Sequence, residues 1–198
     1  MMKPVRPIAP RLICAVVMLA AAPMIPAQVA VLHIEPAQTK IAFTLGATAH
    51  TVHGAFQLKR GVMRFDSKTG QASGELVVDA TSGITGSGGR DKKMHSDVLE
   101  SAKYPEIVFR PDRVTGAVAE RGTSQVQLHG IFGIHGAEHE VTMPVTVEAA
   151  DGQYTASTTF PVPYVKWGMK NPSMLFLKVG ESVDLDFKGT GGVKPAAQ

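Results

Sequence analysis

The sequence predicts an all-β protein: an antiparallel sheet rolled around an apolar interior and interrupted by a single amphipathic helix. Alternation is the first sign. Val126, Leu128, Gly130, Phe132 and Ile134 point one way, and Gln125, Gln127, His129 and His135 point the other. Val141, Met143, Val145 and Val147 repeat the pattern, as do Val183, Leu185 and Phe187 between Asp184, Asp186 and Lys188. A period of two over many segments favours antiparallel strands with one buried face. The second sign is one stretch where apolar residues recur at three- and four-residue spacing instead.

The first stretch lies outside this pattern. Lys3, Arg6 and Arg11 make a basic start, and Leu12 to Ala22 is an apolar run too short to span a bilayer. Residues 1–27 are expected to be a signal peptide cleaved near Ala27, leaving 28–198 as one domain, exported to the periplasm or secreted. Removal takes three basic charges and no acidic one, so the formal charge falls from +3 to zero, 17 basic against 17 acidic residues. The alkaline balance belongs to the signal and argues against a nucleic-acid partner. Cys14, the only cysteine, goes with it, so no disulfide or thiol chemistry is expected in the mature chain.

Strands are expected at 29–35, 39–46, 51–59, 61–66 and 73–80, then at 106–110, 112–119, 123–134, 139–148, 153–162 and 181–188. Gly, Pro, Asn and Asp cluster between most of them. Asp66 to Gly70 and Asp151-Gly152 read as hairpin turns. Pro144 falls mid-strand and removes a ladder donor, so its strand is an edge or is bulged there, and a closed barrel must tolerate a local gap. An edge at that point leaves room for a homodimer without requiring one. The helix is expected at 90–103, about 21 Å long. Asp91, Met94, His95, Val98, Leu99 and Ala102 form one face, and Lys92, Lys93, Asp97 and Glu100 lie opposite, in water. Pro105 stops it. The tail after Lys188, with Gly189, Gly191, Gly192 and Pro195, is expected to fray.

At this point the residues resemble a known family. Thr39 to Phe43 followed by Val52-His53-Gly54-Ala55-Phe56 resembles the opening of the YceI-like polyisoprenoid-binding family. Arg90-Asp91, His95 to Leu99 and Lys103 to Phe109 resemble its helix region. Leu128 to Gly136, Phe160-Pro161-Val162, Trp167-Gly168-Met169 and Val179 to Val183 complete the order over about residues 31–188. Two departures stand out: Leu45-Gly46-Ala47 where the family often has a His, and Ala137-Glu138-His139 where it usually has Thr-Lys. The resemblance implies a lipocalin-like, elongated antiparallel barrel of about eight strands whose lumen holds a long isoprenoid chain, polyprenyl or quinone-like. No other cofactor is implied.

An eight-stranded barrel can be filled by its own side chains or hold one ligand. Small residues such as Gly54, Gly130 and Ala156 share faces with large ones and are expected to leave the lumen partly open. Strands of about ten residues give a tube about 33 Å long. Burying a chain gains about 0.8 kcal/mol per methylene, so a few prenyl units bind tightly without a polar anchor. The expected wall is Ile41, Phe43, Leu45, Val52, Phe56, Ile107, Phe109, Leu128, Phe132, Met143, Val145 and Phe160, with Met94 and Val98 reaching in from the helix. For each of these residues core packing is the competing reading. Trp167, the only tryptophan, sits in a loop that reads either as a lid or lip making transient membrane contact, or as a cap on the barrel end. Gly83 to Arg90 with Lys92 and Lys93 reads as a solvated loop or as a dock for a pyrophosphate head group.

Catalysis has little support. There is no Gly-x-Ser-x-Gly elbow, and Glu138, His139 and Glu140 are strand neighbours that point apart. His50, His53, His135 and His139 flank turns, where surface histidines are commoner than metal ligands. The expected function is therefore an exported, non-enzymatic lipid-binding protein for sequestration or transport. The alternative is a structural or stress-related barrel with a filled core and no ligand.

Overall fold

The computed structural model describes residues 29–48, 50–174 and 178–194; the expected signal peptide lies outside them. Nine strands form one sheet: β1 (Val29–Ile34), β2 (Lys40–Leu45), β3 (Val52–Asp66), β4 (Ala72–Ile84), β5 (Glu106–Thr115), β6 (Gly122–Ile134), β7 (Ala137–Ala150), β8 (Gln153–Val162) and β9 (Val183–Lys194). Neighbours from β2 to β9 pair antiparallel in chain order, and β2 then pairs with β9, which closes the sheet into a barrel. β1 and β2 share one of the eight places around it. Both run antiparallel to β3 and β9, separated by a short 3-10 turn at Pro36–Gln38. The antiparallel lipocalin-like barrel expected from the sequence is thus the fold observed.

Tight turns carry the hairpins where expected. His135-Gly136 and Asp151-Gly152 have positive φ at both residues (52° and 75°, 50° and 77°), the mirror-image turn whose twist suits a hairpin. The carboxylate of Asp66 accepts hydrogen bonds from the Lys68 and Thr69 amides, which folds the β3–β4 turn.

Three expectations are corrected. The segments 51–59 and 61–66 are one strand, β3, with a bulge between Leu58 and Arg60, and 106–110 and 112–119 are one strand, β5, with a bulge between Pro111 and Arg113. A bulge shifts the inward-outward phase by one residue, which reads in sequence as a strand break. As far as Lys194 the tail is not frayed: β9 continues through Gly189, Gly191 and Gly192 and pairs with β8 and β1, while Pro195 lies outside the described residues. Glycine is required there because β1 lies close. A Cβ on Gly191 would stand 2.6 Å from the His33 carbonyl oxygen.

The helix is shorter than expected. α1 spans Gly88–Lys93 and runs into a π-type turn at Met94–Val98, where the Leu99 amide donates to the Met94 carbonyl, five residues back. Glu100, at φ 46°, ends it. His95 ties this segment down: its Nε2 bonds the Gly83 carbonyl oxygen at 2.9 Å and its Nδ1 bonds the hydroxyl of buried Ser101 at 2.9 Å.

The gap expected at Pro144 is present. β7 pairs with β8 only from Thr146 to Ala150, and the last link is the Thr158 hydroxyl donating to the Pro144 carbonyl. Beyond it, residues 137–145 of β7 pair with β6 alone.

Candidate functional site

The far part of the barrel is packed solid. Phe65, Ala72, Val114, Val126, Met143, Val145 and Ala149 are all buried. The end near α1 is different. It holds a cavity of about 440 Å³, within the range of small-molecule sites. β2 supplies Ile41, Phe43 and Leu45, alternate residues of one strand, and β3 supplies Val52 and Phe56. Ile107 comes from β5, Phe132 and Ile134 from β6, and Val183 and Leu185 from β9. Met94, Val98 and Leu99 close one side from the π-type turn. Tyr164, Met169, Pro172, Met174 and Val179 close another from the β8–β9 connection. That connection is bound to the end of β2 by Gly180 N–H to the Gly46 carbonyl at 2.8 Å and Thr48 N–H to the Lys178 carbonyl at 3.0 Å.

Nine of the residues picked from sequence therefore line the cavity: Ile41, Phe43, Leu45, Val52, Phe56, Met94, Val98, Ile107 and Phe132. The other six do not. Phe109, Leu128, Met143, Val145 and Phe160 belong to the packed core, with Phe160 edge-on to Phe132 at 5.7 Å between ring centres. Trp167 also lies off the cavity. Its indole stacks on His139 at 4.1 Å and 4° between planes and meets Phe132 at 5.7 Å. His139 faces inward on the stretch of β7 that pairs with β6 alone, and the half-exposed Trp167 lies against it.

The expected source of free space is also corrected. Gly130 opens no lumen, because the β5 bulge fills its place: a Cβ there would lie 2.3 Å from the Arg110 carbonyl oxygen. At Gly54 the Phe43 ring occupies the side-chain position and then packs on Phe56, 5.4 Å away. The cavity exists because the strands end beneath a helix and a long connection, which leave a vault between them. Its reach along β2, from Ile41 to Ala47, is about 20 Å at strand rise, so it is shorter than a tube through the whole barrel.

Sequence reasoning missed Val78, Ile134, Val162, Tyr164, Met169, Val183 and Leu185 as wall residues, together with the polar His50, whereas Thr85, Arg90 and Lys93 fall in the loop and helix start that the sequence also offered as a dock. Ile134, Val183 and Leu185 carried the alternation signal and were findable. Tyr164 and Met169 sit in a connection with no periodicity. The Tyr164 hydroxyl donates to the Gly180 carbonyl at 2.6 Å, and burial pushes its pKa up to about 12, so it stays a neutral wall residue. No Asp or Glu lines the cavity. A second, wider depression of about 840 Å³ crosses the outer face of the barrel. It is open to solvent and of mixed character, with Lys40, Gln125, Gln127, Thr159, Asp186 and Lys188 around it.

The histidines go to separate places. His135 Nε2 bonds Glu100 at 2.9 Å, His53 bonds Thr44, and His50 stands at the cavity mouth. His139 is half-buried, desolvation depresses its pKa, and its shielded Nε2 has no hydrogen-bond partner. Among the described residues no group of three His, Cys, Asp or Glu side chains is arranged to hold a metal ion. His129, on the outer face, is held between Asp112 at 2.6 Å and Glu140 at 3.0 Å. The Asp112 hydrogen bond raises its pKa above the ordinary value against partial desolvation, and the charges of Asp112 and Glu140 add to it. A folded-state pKa above the unfolded one stabilises the protein fully below the unfolded pKa, about 6.5, and the gain is lost as pH rises through the folded pKa. His129→Gln is accordingly expected to lower the urea midpoint most near pH 5.5, with the deficit shrinking toward pH 9. A deficit independent of pH would show that only packing was removed.

Comparison with known proteins agrees with this geometry. A YceI-like domain matches residues 32–190. Solved structures with the same fold include Burkholderia cenocepacia BcnA, 19% identical over 79% of this chain and 98% of that one, with a TM-score of 0.66. A polyisoprenoid binding domain from Saccharophagus degradans, implicated in plant cell wall breakdown, is 13% identical over 82% and 98%, with a TM-score of 0.65. The Campylobacter jejuni YCEI protein is 15% identical over 74% and 88%, with a TM-score of 0.59. No curated protein matches. With the family match spanning the barrel from β1 into β9, the chain belongs to the YceI-like family.

Proposed function

We propose that this protein holds the hydrocarbon tail of an isoprenoid lipid, polyprenyl or quinone-like, and sequesters or carries it without covalent chemistry. The observation that carries this reading is the vault of about 440 Å³, walled by aliphatic, aromatic and methionine side chains with no carboxylate among them. Each methylene taken from water into it contributes about 0.8 kcal/mol, and the chemistry of the wall selects greasiness rather than shape. Family membership and the polyisoprenoid-binding neighbour of the same fold support an isoprenoid as the occupant. The filled-core alternative describes only the far half of the barrel. The basic, then apolar, start of the chain supports export, with the work done in the periplasm or outside the cell. Ile84 and Met174, 60% and 65% exposed near the mouth, are suited to brief contact with the membrane that supplies the lipid.

Native mass spectrometry, with organic extraction of the purified protein, tests the proposal. A co-purifying prenyl species, or stoichiometric uptake of added long-chain polyprenol, is expected. A clean protein mass from several hosts together with no uptake of added polyprenol would overturn it.

A further inference from the structure

Sulfur is concentrated at the vault. Of the nine methionines in the chain, Met63, Met94, Met143, Met169 and Met174 lie beyond the expected signal peptide. Three of these, Met94, Met169 and Met174, line the vault. The only cysteine, Cys14, falls in the expected signal peptide, so thioethers are the only oxidisable sulfur of residues 28–198. The three are graded in depth. Met174, in the β8–β9 connection, is 65% exposed. Met94 is half-buried, and Met169 is buried. Met143, in the packed far part of the barrel, is buried away from the vault. The chain is pinned just before Met174: the Ser173 hydroxyl accepts from the Val179 amide at 2.9 Å and donates to the Asn171 carboxamide oxygen at 2.6 Å. The Met174 thioether is thus held at the rim, where an oxidant dissolved in water meets it first.

We infer that Met174 is an oxidation site, and that its conversion to the sulfoxide weakens the vault's hold on an apolar tail. This rests on the lipid-binding reading above and adds a means of regulating that same site. The oxidant is a peroxide. The sulfur lone pair attacks one oxygen of hydrogen peroxide, an S–O bond forms as the O–O bond breaks, and the proton of the attacked oxygen passes to the departing hydroxide. Sulfur gives up two electrons, and peroxide is reduced to water. A methionine sulfoxide reductase reverses the step: two thiols supply two electrons and two protons, a disulfide forms, and the oxygen leaves as water. The sulfoxide is polar where the wall was apolar. A tail packed on it must desolvate the new oxygen or forgo that part of the wall.

The test exposes delipidated protein to hydrogen peroxide, reads the modified sites by peptide mass mapping, and measures polyprenol affinity before oxidation, after it, and after reductase treatment. Met174 is expected to react about 10-fold faster than Met143, with Met94 and Met169 between them. One oxygen at Met174 is expected to weaken polyprenol binding about 3-fold, and reductase to restore it. Met174→Leu, compared with itself before and after the same exposure, is expected to show no fall. Met174 reacting no faster than Met143 overturns the site. Full conversion of Met174 with unchanged affinity, or an equal fall in Met174→Leu, overturns its link to binding. If unoxidised protein binds no polyprenol, the lipid-binding reading is overturned and the link to binding with it, while the order of oxidation, read without lipid, still decides the site.

Discussion

Val98→Trp is expected to abolish uptake of a prenyl chain while leaving the barrel folded. Val98 lines the vault from the π-type turn and is only partly buried. An indole there extends into empty volume rather than into packed atoms. If it excludes about four methylenes, the loss is about 3 kcal/mol, or a little over 100-fold in affinity. Overpacking normally costs stability, but here the added ring replaces a void, so the melting temperature is expected to stay within a few degrees. Val98→Ala widens the vault and is expected to keep binding. A folded Val98→Trp protein that takes up polyprenol as the wild type does would show that the chain lies elsewhere.

Gly130→Val is expected to give the largest loss of stability. Gly130 pairs with Pro111 at the β5 bulge. A Cβ there would meet the Arg110 carbonyl oxygen at 2.3 Å, Pro111 Cα at 2.8 Å and the Phe109 ring at 2.9 Å. The first two are backbone atoms, and they cannot retreat without opening the β5–β6 ladder. A cost of about 3 kcal/mol or more follows, at the upper end of what overpacking does. For a domain of this size that is a drop of roughly 10 °C. Urea unfolding of delipidated protein is the measurement, since the loss does not depend on a ligand. Stability equal to the wild type would mean that the bulge relaxes freely.

These two positions show what could be read from sequence. Val98 was legible because it repeats with Met94 at helical spacing, and both reach the vault. Gly130 was visible as a small residue on an inward face, but whether a glycine marks a void or a close approach depends on the strand across from it. Here that strand bulges, and two bulges also hid the continuity of β3 and β5. Pro144 was more transparent: a residue without an N–H interrupts a ladder in any context. Lys93 was placed in water because an ordinary helix turns it away. The π-type turn is wider than an α-turn, because its hydrogen bond reaches five residues back, which brings Lys93 and Val98 to the same side, and both line the vault. That widening depends on His95 reaching Gly83 and Ser101, long-range partners that no window of sequence displays. Tyr164 and Met169 escaped notice for the opposite reason: they lie in a connection held by hydrogen bonds to another loop, with no period to follow.

The indole at the β7–β8 seam also gives the molecule a built-in optical gauge. Trp167 is the chain's sole tryptophan, and one aromatic ring, Phe132, separates it from the vault. Excited at the long-wavelength edge, where the three tyrosines do not absorb, the unlabelled protein therefore emits from a single point beside the chamber. Filling or emptying that space can be followed in real time by its colour and intensity, with no dye attached.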